Sequence, residues 1–183
     1  MRLFRRLAIV LSLLCGVASL AIILPASRPQ PGIATTAREI SHRKVGKSGR
    51  LLAARVEGVV TYFDAKNGLM FVQDATGGVR VSADEDGQPC FPGERVTVSG
   101  FVSDAELSPV ILNAQIAHHG NGLLPAAPLV TASLFGTPEV ENRLVSVEGV
   151  VQRANPLQND SSLLVTISQG GSQSPCIART TVA

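Results

Sequence analysis

The chain has 183 residues and a formal net charge of +2, with hydrophobic residues at 45%, aromatics at 4% and no tryptophan. That length suits one ordinary domain or two small ones, and a core here must be built mainly from Val, Leu, Ile and Ala. The charge is divided: residues 1–50 hold nine Lys/Arg against Glu39 alone, net +8, and residues 51–183 hold seven against thirteen acidic residues, net −6. The acidic part disfavours a surface for polyanions.

Residues 1–6 (MRLFRR) are a basic flank, followed over residues 7–24 by an uncharged apolar run just long enough to cross a bilayer as a helix. Residues 1–26 are therefore read as a transmembrane anchor; a cleaved secretory signal is the alternative, although its apolar region is usually shorter. Arg2, Arg5 and Arg6 place the flank in the cytoplasm, so the bulk of a single-pass bacterial inner-membrane protein is expected in the periplasm, or secreted if the segment is cleaved. Residues 27–50 read as a linker, with one amphipathic turn around residues 37–45. The cluster His42, Arg43, Lys44, Lys47 and Arg50 is suited to anionic headgroups, but the strongly anionic leaflet is usually the cytoplasmic one.

Residues 51–118 carry the pattern of a small β unit. Residues 55–63 are rich in Val, Thr and aromatics. The segment DAKNG (64–68) ends in Asn67-Gly68, which favours a reversal. A second strand is expected over 69–73, a turn at DATGG (74–78), and a third strand from 79 to 82. Residues 84–93 (DEDGQPCFPG) are a polar loop closed by Pro92-Gly93. Residues 94–101 alternate, with Arg95, Thr97 and Ser99 on one face and Val96 and Val98 on the other. Residues 110–117 supply a fifth strand. The expectation is an all-β fold containing a small, partly open five-stranded barrel of the OB type.

Residues 119–142 are a Gly/Pro-rich connector with room for one helical turn at 131–142. The chain then repeats itself: Val56-Glu57-Gly58-Val59-Val60 returns as Val147-Glu148-Gly149-Val150-Val151, and Gly170-Gly171 echoes Gly77-Gly78. Residues 143–183 are read as an incomplete second OB-like repeat, with strands at 163–167 and 175–178. Its unpaired edge implies either a longer parent protein or completion by a partner.

The segments VEGVVTYFD, GLMFVQDATGGVRV and FPGERVTVSGF resemble a bacterial family of exported tandem OB-like modules found as the sensor region of membrane-bound histidine kinases. The resemblance spans roughly residues 51–151, and the QDATGG turn and PGERV are its most specific elements. It implies an input region for two-component signal transduction. The sequence has no second membrane segment, phospho-acceptor histidine box or nucleotide-binding glycine boxes, so no kinase activity attaches to these residues. Two alternatives stand beside it. A free-standing envelope module would bind a protein or peptide at an exposed sheet edge. An accessory module of an exported nuclease is suggested by a similar Q-D-x-T-G-G turn in such proteins.

Candidate sites are few. Gln73, Asp74, Thr76, Gly77 and Gly78 are the ligand-binding candidates, since a turn with free amides can cradle an anion. The competing structural reading is favoured, in which Asp74 and Thr76 bond their own backbone. The aromatics Tyr62, Phe63, Phe71, Phe91 and Phe101 have too few basic neighbours for single-strand recognition, and Phe71 is read as core. His118 and His119 are adjacent and point to opposite faces of a strand, so no shared metal ion is expected. Asp84, Glu85 and Asp86 lack the alternating oxygen pattern of a calcium loop. Cys90 and Cys176 are read as unpaired thiols, with one disulfide between them as the alternative in an oxidising compartment. No nucleophile with a matching base stands out, so neither catalysis nor a cofactor is expected.

Overall fold

The strand Leu52–Asp64 is paired on both of its sides. A computed structural model describes residues 32–42, 52–84, 87–103, 108–157 and 162–179. Within it run β1 (Ile33–Ala34), α1 (Ala37–His42), β2 (Leu52–Asp64), β3 (Leu69–Gln73), β4 (Gly78–Ser82), β5 (Glu94–Ser103) and β6 (Val110–Asn121). In β2, Val59 lies opposite Gln73 of β3 on one side and opposite Arg95 of β5 on the other. β3 pairs antiparallel with β4, β4 runs parallel to β6, and β6 is antiparallel to β5. The pairings thus pass β2–β3–β4–β6–β5 and return to β2. This order, with its one parallel pair between the third and last strands of the circuit, is OB-like.

The local chemistry follows the sequence. Asp64 caps a single 3₁₀ turn, Ala65–Asn67, and Gly68 ends it at φ 58° before β3 begins. The inner face holds Val56, Val60, Met70, Val72, Val79, Val81, Val96, Val98, Val102 and Ile111, all at most 1% exposed. Burying each such aliphatic side chain stabilises the fold by about 1.5–3 kcal/mol. Phe71 departs from its expected place in the core. The alternation of β3 puts Met70 and Val72 inside and turns Phe71 outward, where it is half-buried.

Residues 32–42, read from the sequence as linker, belong to this unit. β1 runs parallel to the start of β2, and Ala34, Ala37 and Ile40 are fully buried in the same core. The remaining linker residues and residues 1–26, including the anchor expected at 7–24, lie outside the described residues. Among the described residues no helix is long and apolar enough to cross a membrane.

A second sheet contains β7 (Val150–Pro156), β8 (Ser162–Gln169) and β9 (Ser172–Arg179), antiparallel in sequence order. It repeats the first meander in register. Val59 and Val60 face Gln73 and Val72, and after a bulge Tyr62 faces Phe71. Val150 and Val151 face Ser168 and Ile167, and after a bulge Arg153 faces Thr166. The glycine before each pair is forced by close approach. A Cβ on Gly58 would lie 2.7 Å from the Gln73 carbonyl oxygen, and one on Gly149 would lie 2.8 Å from that of Ser168. Among the described residues β7 and β9 are each paired on one side only. The connector carries a 3₁₀ turn at Ala132–Leu134, tied to β8 where Ala132 N–H donates to Gln169 Oε1 at 2.7 Å.

Candidate functional site

The turn after β3 is a junction between three parts of the chain. Asp74 Oδ1 accepts from Thr76 N–H and Thr76 Oγ1, both at 2.6 Å, and from Gly77 N–H at 2.9 Å. Its other oxygen accepts from Ala37 N–H at 2.8 Å, while Thr76 Oγ1 accepts from Arg38 N–H at 3.0 Å. Those two amides are among the orphan donors of the first turn of α1. Thr36 caps the next one, its Oγ1 accepting from Glu39 N–H at 3.2 Å. On the opposite side, Gln73 Oε1 accepts from Leu144 N–H at 2.9 Å, and Gly78 lies so close to the Asn142 carbonyl that a Cβ would collide with it. Of the five ligand-binding candidates, Gln73, Gly77 and Gly78 are buried. Asp74, Thr76 and the side-chain oxygen of Gln73 are engaged in these internal bonds, while the three residues border a shallow groove of about 570 Å³ that also touches Glu57, Arg95 and Pro125. Arg95 and Glu57 form an exposed ion pair across that groove at 2.8 Å.

A larger cleft, about 920 Å³, lies between the two β units. The first unit lines it with Thr61, Tyr62, Asp64, Asn67, Leu69 and Phe71, and the far wall is Asn142, Arg143, Leu144 and Ile177. The bulge in β2 falls between Val60 and Tyr62. Val60 is buried and Phe63 packs against the core, so the extra residue leaves both Thr61 and Tyr62 facing the cleft. Tyr62 and Phe71 form a tilted ring pair, centroids 6.1 Å apart.

A third feature lies at the start of β5. Cys90, 2% exposed, Glu94 and His118 bring their ligand atoms within 4.8 Å of one another. His118 Nδ1 and Glu94 Oε1 are 2.7 Å apart, and Glu94 Oε2 accepts from Phe91 N–H at 3.2 Å. Burial, and after it the charge of Glu94, pushes the Cys90 thiol above its ordinary range. Burial also acts to raise the Glu94 carboxyl, but hydrogen bonds from His118 and from Phe91 N–H, together with the His118 charge, hold it below the ordinary carboxylate range. His119 turns away and meets Thr97, with Nε2 2.8 Å from Oγ1, so the two histidines do not act as a pair. From the sequence, His118 and His119 are considered only as a pair that could share an ion, and the proximity of His118 to Cys90 and Glu94 is missed. The signal available was Cys-x₃-Glu around a Pro-Gly turn.

Cys90 and Cys176 are both free. The disulfide entertained from the sequence is not formed. Cys90 packs into the core of the first unit, while Cys176 sits mid-strand in β9, opposite Val165.

No family model matches the chain, and no curated protein does. Among solved structures, the hypothetical protein ygiW from E. coli is similar over 47% of this chain and 89% of its own, at 20% identity and a TM-score of 0.39. The likeness is distant.

Proposed function

We propose that this chain is the extracytoplasmic input region of a membrane-bound histidine kinase, with its ligand held in the cleft between the two β units. The observation that carries the reading is that each unit supplies one wall of that cleft. A ligand touching Tyr62 and Phe71 on one side and Arg143 and Ile177 on the other bears on how the second unit rests on the first. Such a ligand shifts the equilibrium between two arrangements by its difference in affinity for them. The lining suits a small molecule with an apolar ring and a polar or anionic edge.

The sole tyrosine of the chain stands in the cleft, and there is no tryptophan. Intrinsic fluorescence of the full chain therefore reports on the site directly. Titration with anilinonaphthalene sulfonate is expected to quench Tyr62 saturably and to be weakened by Phe71→Ser. Alkaline phosphatase fused after Ala183 is expected to be active. An inactive phosphatase fusion together with a fluorescent cytosolic one removes the sensor reading.

A second reading, a free-standing envelope module, draws on the one-sided pairing of β7 and β9. Val150, Val151 and Ile177 on these strands are 66%, 58% and 64% exposed. Such strands can accept an extended peptide. Crosslinking from Ile177 to an envelope protein, with no kinase encoded in the same reading frame, favours this reading over the first.

A further inference from the structure

We propose that Cys90, Glu94 and His118 form a binding site for a divalent first-row transition ion, zinc above all. The site is separate from the cleft, and its fate is independent of the sensor reading.

The donor set is the first reason. A thiol, an imidazole and a carboxylate together are ligands of zinc and its neighbours, whereas calcium and magnesium take oxygen ligands. Thiolate excludes the hard ions and selects the borderline ones.

Geometry is the second. A tetrahedral ion with bonds of about 2.0–2.3 Å separates its ligand atoms by roughly 3.5 Å. The three donors already lie within 4.8 Å of one another. The thiol must close in, and the 2.7 Å contact between Glu94 Oε1 and His118 Nδ1 must open as the ion takes the place of the proton between them. These are side-chain movements. The backbone is fixed on every side: Glu94 N–H donates to the Phe91 carbonyl at 3.0 Å, Gly93 N–H to that of Val60 at 2.8 Å, and Gly122 N–H to that of Gly93 at 2.7 Å. The turn through Pro92-Gly93 folds Cys90 back over Glu94, and β6 lies beside β5 to deliver His118.

The surroundings are the third. An ion pair alone accounts for Glu94 and His118, but it gives no reason for a carboxylate beside a buried thiol. Among the described residues, that thiol donates its hydrogen bond to the Gln88 carbonyl, at 3.9 Å. A cation resolves that conflict by bonding both. His118 also borders a cavity of about 130 Å³ whose walls include Asp84 and Gln88. As the ion binds, the Cys90 thiol releases its proton to solvent while the sulfur–metal bond forms, and the proton between Glu94 Oε1 and His118 Nδ1 passes to His118 Nε2 or to solvent, which frees the Nδ1 lone pair to coordinate.

Cobalt(II) is the probe. In the full chain carrying Cys15→Ser and Cys176→Ser, Cys90 is the remaining thiol. One equivalent of cobalt is expected to give a thiolate-to-metal charge-transfer band and the intense visible bands of a tetrahedral site, both erased by zinc. Adding Cys90→Ser should abolish the charge-transfer band. Glu94→Gln and His118→Gln should each weaken cobalt binding about tenfold or more, with an unchanged circular dichroism spectrum. Absence of a charge-transfer band in the parent chain overturns the proposal. So does cobalt affinity left unchanged by both Glu94→Gln and His118→Gln, which decides the matter even where Cys90→Ser impairs folding.

Discussion

The Asp74 carboxylate accepts a hydrogen bond from the backbone amide of Ala37, 2.8 Å away across 37 positions of sequence. Through this contact, and that of Thr76 with Arg38, a helix of six residues is held on the β unit although it is too short to persist alone. Asp74→Ala removes the shared acceptor and is expected to cost about 1–3 kcal/mol. Hydrogen exchange should accelerate at Ala37 and Arg38 ahead of β2, as measured by mass spectrometry. Unchanged protection there rejects this account of the helix.

Gln73, 7% exposed, is the corresponding tie to the second unit. Gln73→Ala leaves Leu144 N–H without its acceptor, at an expected cost of about 1–3 kcal/mol. The consequence should be local: faster limited proteolysis in the connector between the units and an altered Tyr62 emission, with the circular dichroism of the first unit preserved.

The repeated glycines predict repeated behaviour. A methyl group on Gly58 must displace the backbone of β3, and one on Gly149 must displace the backbone of β8. Each alanine substitution is expected to destabilise its own sheet by about 1–3 kcal/mol. In denaturant, Gly58→Ala should lower the transition followed by Tyr62, while Gly149→Ala should leave that transition near its original midpoint.

Charge supplies a negative prediction. Residues 51–183 carry a net −6. Despite the paired rings of Tyr62 and Phe71, fluorescence anisotropy with a labelled single-stranded oligonucleotide should show no binding at physiological salt. Saturable binding that weakens as salt rises would revive the nuclease-accessory reading.

The strands were legible because their punctuation is local. Asn67-Gly68 and Gly77-Gly78 bracket β3, and the alternation around Val96 and Val98 names their inner face. The helix α1 was legible only as an amphipathic turn around residues 37–45; its place on the β unit was not, since its first amides are satisfied by Asp74 and Thr76, residues no window around Ala37 contains. Phe71 was assigned to the core because an apolar run does not reveal which of its faces is inward. The Cys90, Glu94 and His118 cluster was hidden for a related reason. Glu94 and His118 are 24 positions apart and meet only because β5 and β6 are neighbours. The repeat was visible as five identical residues, but its matching bulges emerged only from the pairing of strands.

Asp74 and Thr76 grip α1, while Gln73 and Gly78, in the same six-residue turn, meet residues 142–144. The stretch entering the barrel and the stretch leaving it are therefore fastened to one clasp. Tension arriving from the second sheet meets that clasp through residues 142–144, whereas tension on the entering stretch is shared between the clasp and the pairing of β1 with β2.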